Sequence, residues 1–466
     1  MSESQASTAA DLLPRRFLFN INFVFVSTLA SNTLGFFVAI LLARALGPDG
    51  RGATALYQAA VVIAVAFLNL GVAAAAFYFV TRGEINGRQA MEAGLSVSVV
   101  AAAVSALAVL LTRLLFEQHL EGRHVPYALA VLAVPAFIQL RVADGLLRAQ
   151  GRFGAMNALD LALVVSMLVC LGGTEAAFGL TVPRAVWAWT LSFLPPVALG
   201  YAVLGPRVWP RRLAPVSLLR KTLAFGGQGQ LTALIQLFNY RLDVFLILIF
   251  VNTAGVGIYT VASSQTEGLW IIANSVAIVL LTNITQGDAS NAARMTPLVC
   301  RNTLLVTAVG AAGAALIAGL WIPVVFGGDY RASVLPYLWL LPGTVAYAGT
   351  KVLAAYVFSR GRPIINAWIA LATLVATVPT DIALISVFGV PGAAAGTSLG
   401  YVLSLALSAV AYRRLGGGPI VEALLPRRSD AVLYLEAARS LRRRFRRGAA
   451  AADAPAAEAS PPPGFG

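Results

Sequence analysis

The sequence predicts an all-α polytopic membrane protein, with about twelve transmembrane helices in two six-helix lobes related by a parallel internal repeat. Three observations predict it. Hydrophobic residues make up 58% of the 466 and charged residues only 12%, with a mean hydropathy of +0.78. Soluble chains average about 25% charged residues, so this chain has too little charge to cover a water-facing surface. Twelve apolar stretches approach or exceed the roughly 20 residues that cross about 30 Å of hydrocarbon. Finally, the chain is written twice. Phe178-Gly179-Leu180-Thr181-Val182-Pro183 returns about 210 residues later as Phe388-Gly389-Val390-Pro391. Gly151-Arg152 with Asn157 returns as Gly361-Arg362 with Asn366, and Gly52-Ala53-Thr54-Ala55 matches Gly257-Ile258-Tyr259-Thr260.

The elements come in order. Met1 to Leu13 is polar, and Arg15-Arg16 precede a segment too long for a signal peptide, so 1–19 is expected to be a cytoplasmic segment. The N-lobe, 20–204, holds stretches at about 20–45, 53–80, 90–115, 125–148, 155–179 and 183–204. Gly47-Pro48 and Gly205-Pro206 mark turns among them. A basic cytoplasmic linker spans 205–221. The C-lobe, 222–412, holds stretches at about 222–250, 255–284, 301–326, 333–358, 364–388 and 391–412, punctuated by Gly327-Gly328 and by Gly361 with Pro363. A basic cytoplasmic tail, 413–447, has the pattern of an amphipathic helix near 430–447 or of a solvated basic run. The Ala/Pro-rich end, 448–466, has the composition of a disordered segment.

Orientation comes from the basic residues. With the N-terminus in the cytoplasm, 25 of the 34 Lys and Arg fall on the cytoplasmic side, 6 on the outer side and 3 within helices, as the positive-inside rule requires. The net charge of +14 is thus topology, and no nucleic-acid site is needed. An even number of helices per repeat leaves both lobes in the same orientation, with a cleft between them. Cys170 and Cys300 lie in different stretches and make neither a CxxC pair nor a metal site. His119 and His124, with Glu117 and Glu121, share one short outer loop that reads as solvated. No cofactor is expected.

The run Leu41-Leu42-Ala43-Arg44-Ala45-Leu46-Gly47-Pro48-Asp49-Gly50-Arg51-Gly52 resembles the first-hairpin signature of Wzx-like polysaccharide flippases. These belong to the multidrug/oligosaccharidyl-lipid/polysaccharide exporter superfamily. Leu68-Asn69-Leu70-Gly71 resembles the family's next motif, on the second helix. Asp243, followed by Gly257-Ile258-Tyr259-Thr260-Val261-Ala262, resembles the start of the second lobe. The resemblance covers about 15–415. Asn69 departs from the family, where an acidic residue is common. The resemblance implies a flippase that moves an undecaprenyl-pyrophosphate-linked oligosaccharide across a bacterial cytoplasmic membrane, from the inner to the outer leaflet. Its implied partners are the lipid-linked oligosaccharide, membrane lipids, and assembly proteins such as a polymerase and a chain-length regulator.

A charge at the bilayer centre costs roughly 2.5–3.5 kcal/mol on insertion scales, so each asks for a partner or a wet cavity. Arg141 lies ten residues before Gly151 and Lys351 ten before Gly361. They are repeat-equivalent cations, suited together to a pyrophosphate or, in the plainer reading, neutralised locally or snorkelling to the interface. Asp144 is placed to pair with Arg141. Gln228, Thr232, Gln236, Asn239 and Asp243 fall within about 80° on the seventh helix, a polar stripe that reads as cavity lining or as interhelical hydrogen bonding. Gly226, Gly227 and Gly229 suit either a bend in that helix or close packing. Arg241 is a third candidate cleft cation for the substrate, but it points away from the stripe and needs another partner. Asn274 on the eighth helix matches Asn69 in the first lobe. Candidates for binding a coupling H⁺ or Na⁺ are Asp243, Glu267, Asp160 and Asp381, the last beside a helix break expected at Pro379.

Two other functions compete. A H⁺- or Na⁺-coupled multidrug antiporter shares the expected fold but needs an acidic lining for cationic drugs, which Arg141 and Lys351 oppose. A membrane-bound glycan polymerase or glycosyltransferase needs a catalytic domain or a sizeable outer loop. The outer loops here are short and carry no nucleophile–base pair.

Overall fold

A computed structural model describes residues 15–116, 130–286 and 289–425 of the chain. Among the described residues there are fourteen α-helices, one 3₁₀ turn and no strand. In order they are α1 (Arg15–Leu68), α2 (Val72–Thr81), α3 (Gly87–Phe116), α4 (Ala130–Ala149), α5 (Phe153–Phe178), α6 (Val182–Leu191) and α7 (Leu194–Leu204). After the linker come α8 (Val216–Phe250), α9 (Thr253–Gln286), α10 (Ala289–Phe326), the 3₁₀ turn Gly328–Ser333, α11 (Val334–Ser359), α12 (Pro363–Phe388), α13 (Val390–Arg414) and α14 (Ile420–Leu424). The loop bearing His119 and His124 and the tail helix expected near 430–447 lie outside the described residues.

Every expected stretch falls on helix within the described residues, and the differences are local. The first two stretches share α1, because the chain turns at a single residue, Gly47 (φ 64, ψ −178). Only glycine enters that conformation without a steric penalty, and Pro48, lacking an N–H, begins the second leg. The second stretch is broken after Leu68, where Leu70 (φ 46) and Gly71 (φ 72) are left-handed. The sixth splits between α6 and α7, with Pro195 and Pro196 opening the second piece, where a missing N–H is harmless. The ninth starts at Ala289 rather than 301. The break expected at Pro379 is absent: α12 continues through it.

Eight segments among the described residues are individually long and apolar enough to cross a membrane. The number falls short of twelve because α1 carries two stretches. In addition, α4 holds Arg141, Asp144 and Arg148, α11 gives up apolar length to Pro, Thr, Tyr and Lys351, and the side chains of α9 from Asn274 on lie outside the described residues. Large apolar side chains face outward, Leu316 at 88% exposure and Val375 at 66%, which lipid tolerates and water would not. The N-lobe core gathers Val72, Ile138, Leu146, Leu147, Leu159 and Phe193. The C-lobe core gathers Ile247, Tyr259, Ile322, Tyr330, Tyr337 and Ala393, and takes in Ala43, Ala55 and Leu56 of α1.

The lobes meet along a seam with two ends. At the Gly47 end, the repeat-equivalent Gly52 and Gly257 press backbone on backbone: a Cβ on either would lie 3.0 Å from the other's amide nitrogen. Beside them Arg44 donates to the Val325 carbonyl at 2.7 Å and to the Val324 carbonyl. The Tyr330 hydroxyl donates to the Ala43 carbonyl at 3.3 Å. At the linker end, the break in the second stretch brings Gly71 onto the backbone of Gly226. The break also frees the Ala66 carbonyl, which accepts from the Gln230 amide of α8. Tyr78 stacks on Phe225 at 4.2 Å, and Lys221 pairs with Glu84 at 2.8 Å. Of the two roles open to Gly226, close packing is the one observed, and α8 runs unbroken from 216 to 250.

Candidate functional site

α8, α11, α12 and α13 enclose a cavity of about 610 Å³ within the C-lobe. Each helix contributes one face, because residues three and four apart lie side by side. α8 presents Gln236, Asn239 and Tyr240; α11 presents Tyr347, Thr350, Lys351, Ala354 and Phe358. α12 adds Asn366, Ile369 and Thr373, and α13 adds Tyr401, Ser404 and Ser408. Two members of the expected polar stripe, Gln236 and Asn239, therefore line a cavity. The side chains of Gln228, Thr232 and Asn274 lie outside the described residues.

Lys351 is the cation of this cavity. Its Nζ lies 5.0 Å from the ring centres of both Trp270 and Tyr347, a geometry in which the ring faces attract the ammonium. Behind it the aromatics form one wall. Tyr347 and Tyr401 sit 4.6 Å apart, Trp270 and Tyr347 5.0 Å apart, and the hydroxyls of Tyr240 and Tyr347 meet at 2.5 Å. Among the described residues no carboxylate pairs with Lys351 and none lines the cavity. Glu267 is in electrostatic range, but its carboxylate is 3.7 Å from Arg241. That supplies the partner Arg241 needs, and Arg241 does not line the cavity.

Both expectations for Asn239 hold together. It lines the cavity, and its amide nitrogen donates at 3.0 Å to the carbonyls of Ile235 and Ala370. Asn366 likewise donates to the Ala354 carbonyl at 3.0 Å. The hydroxyls of Thr373 and Ser408, which also line the cavity, are buried without a partner.

Deeper in the lobe lies a buried acidic cluster. Asp243 accepts from the Tyr259 hydroxyl and, at 2.8 Å, from the Val244 amide. Tyr259 also meets the Thr397 hydroxyl at 3.1 Å. Asp381 is within electrostatic range of Asp243, and its Oδ1 has no hydrogen-bond partner. One turn before it on α12 the Thr377 hydroxyl is also unpartnered. Two carboxylates and three hydroxyls from α8, α9, α12 and α13, incompletely satisfied by the protein, have oxygen chemistry suited to a proton or a hard cation.

In the N-lobe, Arg141 stacks on Phe137 at 4.9 Å. This repeats the C-lobe arrangement: Lys351 stacks on Tyr347, and in each lobe the ring lies four residues before the cation. Asp144 does not pair with Arg141. It bonds Arg148 at 3.0 Å, because that arginine lies one full turn on along the same helix face. Asp160 is in electrostatic range of Arg141, Asp144 and Arg148. Arg141 does not line the Lys351 cavity, so within the described residues the two cations occupy separate lobes. Asn69 sits at the helix break, its Oδ1 buried without a partner.

Three features were not evident from the sequence. The aromatic wall is assembled from α8, α9, α11 and α13, which no single-helix pattern reveals. Gln230 finds its partner only because the second stretch breaks. Arg51, grouped with the outer-side charges, is buried at 6% exposure, and its Nε and Nη1 have no partner.

Comparison with known proteins places this architecture. Residues 17–282, more than half of the chain, match the family described as polysaccharide biosynthesis protein. The chain belongs to that family. It is 21% identical over 405 residues, 83% of this chain and 81% of the other, to the probable low-salt glycan biosynthesis flippase Agl15 of Haloferax volcanii. Among solved structures it resembles the lipid II flippase MurJ in an inward closed conformation. That match has a TM-score of 0.71 at 12% identity, covering 86% of this chain and 88% of that one. It also resembles an inward-facing multidrug resistance transporter of the MATE family, with TM-score 0.66 at 14% identity, covering 83% and 94%. At such identities these likenesses establish the fold alone: a helical membrane protein of two lobes.

Proposed function

We propose that the protein flips a lipid-linked oligosaccharide across the membrane for polysaccharide biosynthesis. In full, the substrate is an undecaprenyl-pyrophosphate-linked oligosaccharide, moved from the cytoplasmic to the outer leaflet of a bacterial cytoplasmic membrane. Both termini are cytoplasmic, and the Gly47 end of the seam faces outward. The observation that carries this reading is the cavity around Lys351. This half-buried cation has no paired carboxylate among the described residues, and the lining has no acid and is rich in amide and hydroxyl groups. Such a site asks for an anionic, hydroxyl-rich guest.

The two lobes would part alternately at the two ends of the seam, as in alternating access. Asp243 and Asp381 are placed to load the C-lobe with the coupling H⁺ or Na⁺. Arg141, stacked as Lys351 is, would supply a cation to the N-lobe side. The family and the flippase relative support the reading, and the MurJ likeness is consistent with it. The MATE likeness fits an antiporter equally well in fold, but a site for cationic drugs would have carboxylates where this cavity has Lys351.

The test replaces the native gene with Lys351→Ala or Arg141→Ala and measures surface glycan beside the amount of inserted protein. Loss of glycan at unchanged insertion is expected. Full glycan output from the double variant would overturn the assignment of these cations.

A further inference from the structure

We infer that the C-lobe cavity receives a sugar ring bearing a single carboxylate, and is not the seat of the pyrophosphate. The inference rests on the flippase proposal and specifies its substrate.

The balance of donors and acceptors on the cavity wall selects the guest. Asn239 and Asn366 both turn their amide nitrogens to backbone carbonyls, an orientation that is forced, since only an N–H can face a carbonyl oxygen. Their Oδ1 atoms accept nothing among the described residues and remain as fixed acceptors at the cavity wall. A pyrophosphate at neutral pH offers essentially acceptors and carries more than one charge. It would meet those oxygens with like polarity and find a single ammonium. A sugar offers several O–H donors, which complement fixed acceptors.

The lining also carries aromatic rings. Tyr240, Tyr347 and Tyr401 line the cavity, and aromatic faces pack against the C–H faces of a pyranose. A volume of about 610 Å³ lies within the range of roughly 300–1,000 Å³ typical of small-molecule sites. Lys351 then decides the charge. One ammonium, held between two rings and lacking a counter-ion in the lining, matches one carboxylate, as on a uronic acid.

The test uses the purified full chain in lipid nanodiscs and four probes: cellobiouronic acid, cellobiose, inorganic pyrophosphate and tetraphenylphosphonium. Binding of the organic probes is followed by saturation-transfer NMR and that of pyrophosphate by phosphorus line broadening. The uronate is expected to bind at least ten times more tightly than cellobiose, and pyrophosphate weakly or not at all. Lys351→Gln should erase the preference for the uronate while leaving cellobiose within about twofold. Tyr347→Leu should weaken both sugars. The ranking of probes on the unaltered protein stands even if a variant fails to fold.

Equal binding of cellobiose and the uronate overturns the acidic-sugar assignment. Pyrophosphate binding that is tighter than the uronate and lost in Lys351→Gln overturns it in favour of a headgroup site, with the flippase proposal intact. Tetraphenylphosphonium binding in the absence of any sugar binding overturns both. Binding of none of the probes overturns the inference alone.

Discussion

Arg44 should hold the Gly47 end of the seam shut. Its guanidinium donates to the Val324 and Val325 carbonyls, in the last turn of α10, where carbonyls have no partner within the helix. A cation there also meets the negative end of the helix dipole. Hydrogen bonds to a charged group contribute about 1.5–3 kcal/mol when desolvated, and a cation at an exposed helix C-terminus about 0.3–1 kcal/mol. Arg44 is exposed, so water competes and the low end applies. A total of about 1–2 kcal/mol corresponds to roughly 5- to 30-fold in the ratio of closed to open states. Arg44→Gln should therefore open this end more often by about that factor. The assay places spin labels at Asp49→Cys and Asp329→Cys, exposed positions on the two sides of the seam, after Cys170 and Cys300 are replaced by alanine. Distances between the labels are then measured in nanodiscs. A longer-distance population should grow in Arg44→Gln and stay small in Arg44→Lys, which retains the charge. An unchanged distance distribution in Arg44→Gln would refute the reasoning, leaving Arg44 with no net part in closure.

Other outcomes are expected from the same geometry. Gln230→Leu leaves the Ala66 carbonyl unpaired inside the seam. That costs about 1–3 kcal/mol and should lower the melting temperature in detergent; an unchanged Tm would show that water replaces the amide. Asp381→Asn and Asp243→Asn should make transport indifferent to the collapse and restoration of the ion gradient, while binding of the glycan persists. Gradient-dependent transport in both variants would remove them as coupling groups. Gly257→Val should drive the seam apart at the Gly47 end and lower both stability and transport. Normal activity would mean that the Gly52–Gly257 contact is not kept during the cycle.

Legibility in the sequence divides along physical lines. The polar stripe on the seventh helix was readable because helical periodicity is a property of one segment, and Gln236 and Asn239 do line a cavity. The equivalence of Arg141 and Lys351 was readable because duplication keeps spacing, and in each lobe a ring four residues before the cation, Phe137 or Tyr347, lies beside it. Asp144 was misassigned because Arg141 and Arg148 both lie within a turn of it, and only the folded side chains decide between them. The aromatic wall was hidden, since Tyr240, Trp270, Tyr347 and Tyr401 are brought together by tertiary packing alone. Gly47 was read with Pro48 as a turn, and what stayed hidden is that both of its flanks remain helical. A single left-handed residue can reverse a chain whose flanks both stay helical, and composition does not distinguish that from a short linker. Arg51 was grouped with the outer-side charges by its place in the sequence, which carries no sign of its burial, since that depends on the other lobe closing over it.

The meeting of Gly52 with Gly257 has a consequence for how such a chain can change. In a symmetric homodimer, a residue on the axis faces its own copy, and one substitution alters both sides of the contact at once. In a fused duplicate the two copies vary independently, but the geometry still couples them. Each glycine is bare because the other lobe's backbone occupies the space a side chain would need, the Thr253 carbonyl beside Gly52 and the Pro48 carbonyl beside Gly257. A methyl group on either one would displace both lobes, and no smaller side chain across the seam can make room, because the atoms in the way are backbone. At this contact, as where Gly71 meets Gly226, the two halves of the chain cannot diverge by compensation.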